Sequence, residues 1–311
     1  MKKIILPLML CTTFNVLNAK YIDTSYVYDV EIDFNEKKEI KNENRLTTTT
    51  IVPYYSIINY DKSSKKDKGI LDGFYLSNGS LSYLLEINYS KIKLKYKDSL
   101  IPELLQEEMS LKYNKYYYKY SYKVGLHTNS TTDTSLQNGN TIILGLKGWK
   151  YYNYNKLTYG VDYYHTMYAN GTNLENEIKK ININQITPYV SYFNYFSNFQ
   201  NNVKLKMNVE SIKEYDDKTL YSFELEDILY LGKYNLSFNY FKGEMQTGIR
   251  SGGDTVYNSK DKLEQEFGIK LTYNYSKDLQ ASMSYKFMNY YEFENKDTSN
   301  QMSVFSISYK F

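Results

Sequence analysis

Two histidines, His127 and His165, are the only imidazoles in the chain, and Cys11 is the only thiol. Acid–base or nucleophilic chemistry at neutral pH commonly recruits a His beside a hydroxyl or a carboxylate. His127 is followed by Ser130 and Asp133, and His165 follows Asp162. No spacing ties a nucleophile to a base, and these residue types are abundant in polar loops. Soft-metal sites need clustered Cys and His, which this inventory does not supply. Asp216–Asp217 and Ser251–Asp254 read as ordinary loop chemistry, and no Gly-rich phosphate loop or acidic calcium loop is evident. The sequence therefore predicts no catalytic residue, no metal site and no cofactor. A net charge of +3 gives no argument for a nucleic-acid partner.

Charge offers more. Lys91, Lys93, Lys95 and Lys97 alternate along one segment, and Lys112, Lys119, Lys123 and Lys147 follow on the next three. Further on stand Glu210, Glu224, Glu226, Glu264 and Glu266, diluted by Lys204, Lys206 and Lys270. If both sets face one water-filled space, they form a basic wall opposite an acidic one. Such walls set a field that orients charged or dipolar solutes. The plainer reading is solvation of a wet surface by a Lys-rich chain. Tyr117, Tyr164 and Asn239 on the same faces suit contact with sugars, or simply fill space.

The elements that carry these residues have period 2. Phe305, Ile307, Tyr309 and Phe311 alternate with Val304, Ser306, Ser308 and Lys310. Phe267, Ile269, Leu271 and Tyr273 alternate with Glu266, Gly268, Lys270 and Thr272. Such two-faced segments are strands, and 38 Tyr residues suit them, since Tyr favours strands and pairs an apolar ring with a polar tip. The expected strands are 46–60, 73–88, 91–97, 107–113, 116–127, 141–152, 157–168, 180–195, 201–213, 219–230, 233–243, 263–275, 279–291 and 301–311. Phase reversal between Tyr89 and Ile92 places a tight turn at 89–90, and Asn78–Gly79 is a further hairpin signal. Short turns alternate with long connections at 61–72, 98–106, 128–140, 169–179, 214–218, 244–262 and 292–300.

Segments of 10–13 residues exceed ordinary soluble strands and match a tilted membrane crossing. Alternating short and long connections, with Tyr toward segment ends, point the same way. The predicted fold is all-β: a transmembrane, antiparallel, up-and-down β-barrel of about fourteen strands, or twelve if one hairpin merges. A soluble β-sandwich is the competing architecture.

The N-terminal stretch reads as an export signal over 1–19, with Lys2 and Lys3 before an apolar run and cleavage after Ala19. The exported chain then contains no Cys. Residues 20–45, where Tyr26, Tyr28, Val30, Ile32 and Phe34 alternate, form a periplasmic or plug segment ahead of a barrel over 46–311.

The last strand, with Phe305, Ile307, Tyr309 and a terminal Phe311 on one face, resembles the assembly signal of Gram-negative outer-membrane β-barrel proteins. The resemblance covers about ten residues and is similar in kind to small porins. It implies residence in the outer membrane, contact with outer-membrane lipid and lipopolysaccharide, and insertion by the barrel-assembly machinery. The function expected is a porin-like channel for passive diffusion of small polar or charged solutes. A closed structural, adhesion or export-associated barrel is the alternative. An outer-membrane hydrolase using a rim histidine ranks behind both.

Overall fold

The computed structural model describes residues 47–311 apart from 62, 64, 133–135, 173–177, 197–198, 214–217, 254, 257–260 and 293–294. The export signal and the segment 20–45 lie outside the described residues. Fourteen long strands close into one antiparallel barrel. In chain order they are β1 (Thr48–Tyr60), β2 (Lys66–Ser80), β3 (Tyr83–Tyr96), β4 (Leu104–Tyr116), β5 (Tyr120–Thr131), β6 (Leu136–Tyr152) and β7 (Asn155–Thr172). They continue as β8 (Ile178–Tyr195), β9 (Gln200–Lys213), β10 (Lys218–Leu231), β11 (Tyr234–Met245), β14 (Lys262–Asn274), β15 (Leu279–Glu292) and β16 (Asn295–Lys310). Between β11 and β14, two short strands, β12 (Ile249–Arg250) and β13 (Thr255–Val256), form a miniature hairpin.

Each strand pairs with its sequence neighbour in the barrel, and β16 returns to β1 with Tyr55 opposite Phe305 and Ile51 opposite Tyr309. Phe311 extends this seam, exchanging two backbone hydrogen bonds of 2.9 Å with Thr49. The seam removes the last free sheet edge.

The outer face is apolar. Leu126, Leu144, Leu205, Phe223, Leu271, Met283 and Ile307 all project outward and are exposed, as are Phe305 and Tyr309. An apolar belt running round a barrel is far larger than the patches soluble monomers tolerate, and it matches a barrel whose outer solvent is hydrocarbon. The inner face is polar: Ser56, Asn88, Lys112, His127, Asn208, Glu210 and Glu266 are all buried there.

The belt lies toward the end carrying the turns at 81–82, 117–119, 153–154 and 232–233, here called the turn end. At the opposite, loop end the hairpins project past the belt. Several connections expected as long loops, such as 128–140 and 292–300, are strand for most of their length. Of the expected long loops, the connection between Met245 and Lys262 keeps its length.

Two turns need correction, and the one expected between 113 and 116 lies instead at 117–119, between β4 and β5. The expected turn at 89–90 does not exist: β2 turns at Leu81–Ser82, and β3 runs unbroken through Tyr89 to Tyr96. The apolar pattern reverses there because β3 leaves the belt. Beyond Tyr89 outward no longer means apolar, while Ile92 and Leu94 turn inward, Leu94 being only 5% exposed. A strand passing from hydrocarbon to headgroups changes its pattern without changing its direction.

The belt makes a direct prediction. Leu144→Lys, in the middle of the outward row of β6, should destabilise the barrel by about 2–4 kcal/mol, whereas Thr128→Lys at the edge of the row on β5 should cost about 0–1 kcal/mol. Equilibrium unfolding in lipid vesicles measures both, and equal penalties would contradict the assigned belt.

Candidate functional site

The lumen is crossed at mid-height by the chain between β11 and β14. Residues 246–253 leave the top of β11 and fold inward rather than outward. Among the described residues this strap is held by inward side chains of the strands. The Glu210 carboxylate of β9 accepts the Thr247 backbone N–H at 3.0 Å and its hydroxyl at 2.6 Å, with the Gln246 N–H at 3.4 Å. The Gln185 amide of β8 reads the Ile249 backbone from both sides: Ile249 N–H donates to Oε1 at 2.7 Å, and Nε2 donates to Ile249 O at 2.8 Å. Ile249 packs with Ile143 of β6 and Tyr164 of β7. Lys123 of β5 donates to Gly252 O at 3.2 Å.

In the fourteen-strand order, β6 and β5 are the fifth and sixth neighbours of β11, on the far side of the ring. The strap therefore spans the barrel from one wall to the other. Its return needs left-handed backbone: Ser251, Gly252 and Gly253 have φ of 53°, 69° and 112°. A side chain at Gly253 would also collide with Ile143, whose Cδ1 stands 2.6 Å from the site of a Cβ. Two glycines in succession answer both demands.

Arg250 is the central fastening. Its Nη1 donates to Glu266 of β14 at 2.6 Å, its Nε reaches Glu224 of β10 at 3.4 Å, and its guanidinium lies over Phe241 at 4.9 Å. Glu224 is also met by Lys206 at 3.4 Å, and Glu266 by Lys286 at 3.6 Å and Asn239 at 2.6 Å. At the loop end Lys66 pairs with Asp261, fastening the strap's far side to β2. A planar guanidinium suits two carboxylates at once, which an ammonium does not.

The expected lumen charges divide on inspection. Lys112, Lys123 and Lys147 face inward on β4, β5 and β6, and Glu210, Glu224, Glu226 and Glu266 face inward on β9, β10 and β14. Much of this charge is neutralised locally, by Lys112–Glu86 at 3.6 Å, Lys123–Asp162 at 2.9 Å, and a Lys206–Glu226 contact. Lys147 stands over the Tyr116 and Trp149 rings, and Lys204 over Tyr189 at 4.6 Å, both nearer the turn end.

Other expectations fail. Lys91, Lys93 and Lys95 face outward: Lys91 is paired in register with Glu107, on the face that carries Met109 and Leu111. Directly opposed residues share a face, so the ladder lies outside the lumen. Lys119 sits exposed in the turn 117–119, against the Tyr118 ring. Glu264 is the extra residue of a β-bulge between Leu263 and Gln265 and stands outside the acidic ladder. Tyr117 belongs to the same turn as Lys119, stacked on Tyr120, whereas Tyr164 and Asn239 do face the lumen.

The two histidines lie on opposite faces of the wall. His127 is buried on the inner face, its Nε2 3.5 Å from Glu108. His165 faces outward, with Nδ1 2.9 Å from Asn184 Oδ1. They cannot act together. Ser130 points outward, Asp162 points inward to Lys123, and Asp133 lies outside the described residues.

Arg250, Gln185 and Thr247 escaped the reading of the sequence. One signal was present: in a chain whose cations are otherwise Lys apart from Arg45, a lone Arg precedes Ser-Gly-Gly.

No family model matches the chain, and no curated protein matches it. Among solved structures, OccK11 (OpdR) of Pseudomonas aeruginosa is similar at 10% identity and a TM-score of 0.43, over 85% of this chain and 96% of that one. The Acinetobacter baumannii outer membrane protein Omp33 is similar at 8% identity and a TM-score of 0.46, over 85% and 99%. A bacterial polysaccharide outer membrane secretin is similar at 10% identity and a TM-score of 0.48, over 87% and 100%. These likenesses carry no reading of solute or mechanism, which rests on the lumen itself.

Removing both carboxylates that hold Arg250, as Glu224→Gln with Glu266→Gln, leaves a buried guanidinium unpaired. Such a loss costs about 3–5 kcal/mol, enough to release the strap while the barrel persists. Trypsin cleavage after Arg250 should then rise roughly 100-fold or more, since each 1.4 kcal/mol of opening is a factor of about ten. Unchanged cleavage would show that the strap is held elsewhere.

Proposed function

We propose that the protein is a passive outer-membrane channel for small polar or charged solutes, with the strap 246–253 setting its aperture. The observation that carries this reading is the strap itself. A barrel of this size built only as a wall needs no chain across its middle. Here inward residues of β5 to β11 and β14 hold one in place at mid-height, between a polar loop end and a polar turn end.

Arg250, Lys206 and Lys286 neutralise Glu224, Glu226 and Glu266, and Glu210, which has no ion-pair partner among the described residues, is enclosed against the strap. Lys204 and Lys270 make no ion pair among the described residues, and with Lys147 they line the half of the lumen nearer the turn end. Fixed positive charge in a confined, water-filled passage raises the local anion concentration. The channel is accordingly biased toward anions, by a lysine set different from the one the sequence suggested.

Planar-bilayer recordings test the reading. The protein should conduct, the Glu224→Gln and Glu266→Gln variant should conduct more per channel, and Lys147→Glu with Lys204→Glu should move the reversal potential toward cations. That shift should shrink at high salt, because the Debye length falls to about 3 Å at 1 M. Conductance only after release of the strap would make the strap a gate. No conductance in any variant would leave a closed structural barrel.

A further inference from the structure

The lysines displaced from the lumen stand at one place on the outer wall. On β2, β3 and β4 the continuous outward apolar rows end at Phe74, Tyr89 and Met109, with Ile70 and Leu105 as isolated apolar residues beyond them, and the Phe74 and Tyr89 rings lie 5.9 Å apart. The next outward residues are Asp72, Lys91 and Glu107, aligned in register, with Lys91 and Glu107 paired at 2.6 Å. Above this seam the outward positions carry Lys68, Lys93 and Lys95.

Lys68 and Lys95 are directly opposed across the β2–β3 ladder, with Lys93 beside them on the same face. Like charges facing each other in a sheet destabilise it. Among the described residues the one ion pair of this cluster is Lys95 with Glu103 at 3.4 Å, both side chains at least half exposed. Pairs so exposed contribute little. The outward carboxylates in the row below are Asp72 and Glu107, the latter held by Lys91. Lys68 and Lys93 make no ion pair among the described residues. The cluster is confined to one sector: the first outward positions past the belt elsewhere are mostly neutral, as Thr128, Asn140, Asn184, Ser211 and Gln265 illustrate, with Lys242 of β11 the exception.

Resting on the reading of the barrel as an outer-membrane protein, we infer that Lys68, Lys93 and Lys95 bind the phosphate groups of an outer-leaflet glycolipid. The height of the cluster selects that occupant. It begins where the apolar belt ends, at the layer of phosphorylated headgroups, and it faces the lipid rather than the lumen. A phosphate dianion between opposed ammonium groups offsets the repulsion that the chain leaves uncompensated. The flanking Ile70 and Leu105, also outward, extend apolar contact to the upper part of the acyl chains.

The test compares thermal unfolding of the full-length protein in detergent with and without bisphosphorylated lipopolysaccharide. The wild type should gain stability, the dephosphorylated glycolipid should lose most of that gain, and inorganic phosphate should give none. Lys68→Gln, Lys93→Gln and Lys95→Gln together should abolish the gain, while Lys242→Gln should keep it. Heat-modifiable gel mobility establishes that the triple variant is folded. An equal gain in the triple variant, or with the dephosphorylated lipid, overturns the proposal. A full gain from inorganic phosphate makes the site one for free anions. Loss of a dimer in the triple variant would assign the patch to a second copy of the chain. Single-channel conductance of the same triple variant should stay unchanged, so failure of the channel reading and failure of this one are separately visible.

Discussion

In hydrocarbon every backbone N–H and C=O must find its partner within the protein, because no water is present to accept or donate. Pairing of β1 with β16 meets that demand for the whole chain at once. Without this seam two strands present open edges to lipid. With it, each strand is held on both sides and gains two fixed faces, one for lipid and one for the lumen. Belt, lumen and strap are all consequences of this closure.

Once the wall is closed, the lumen becomes a confined space whose polar groups must satisfy one another or water. The strap exploits this. Glu210 and Gln185 would otherwise be a buried carboxylate and a buried amide needing partners, and they find them in the backbone of residues 246–249. Arg250 does the same for Glu224 and Glu266. A buried ion pair contributes little net stability, but it penalises every arrangement that breaks it. The strap is therefore held in one position rather than merely held.

The wall also sorts charge by height and by face. Inside, opposite charges meet across neighbouring strands, as in Lys123–Asp162 and Lys112–Glu86. Outside, charge is absent from most of the belt and returns at its edge, where Lys91 and Glu107 meet. Lys residues of the same alternating kind thus do different work according to whether they lie inside the barrel, at its rim, or in a turn such as Lys119.

The two-residue period, with segment length and the alternation of short and long connections, pointed to an all-β barrel and located the strands from β6 onward, although β6 and β16 begin five and six residues earlier than expected. Such strands alternate cleanly because each face meets one solvent over most of its length. The terminal aromatic row Phe305, Ile307, Tyr309 was legible for the same reason, and it faces outward as the alternation requires. The pattern misled where a strand crosses a boundary between solvents: at Tyr89–Ile92 the change from lipid to headgroup imitates a turn and sends Lys91, Lys93 and Lys95 to the wrong side. Tertiary structure alone decided the strap. Arg250 meets Glu224 and Glu266, and Ile249 meets Gln185, only because the barrel closes and the loop folds inward. Local alternation carries no information about contacts made across an enclosed space, so these residues read in sequence as an ordinary loop.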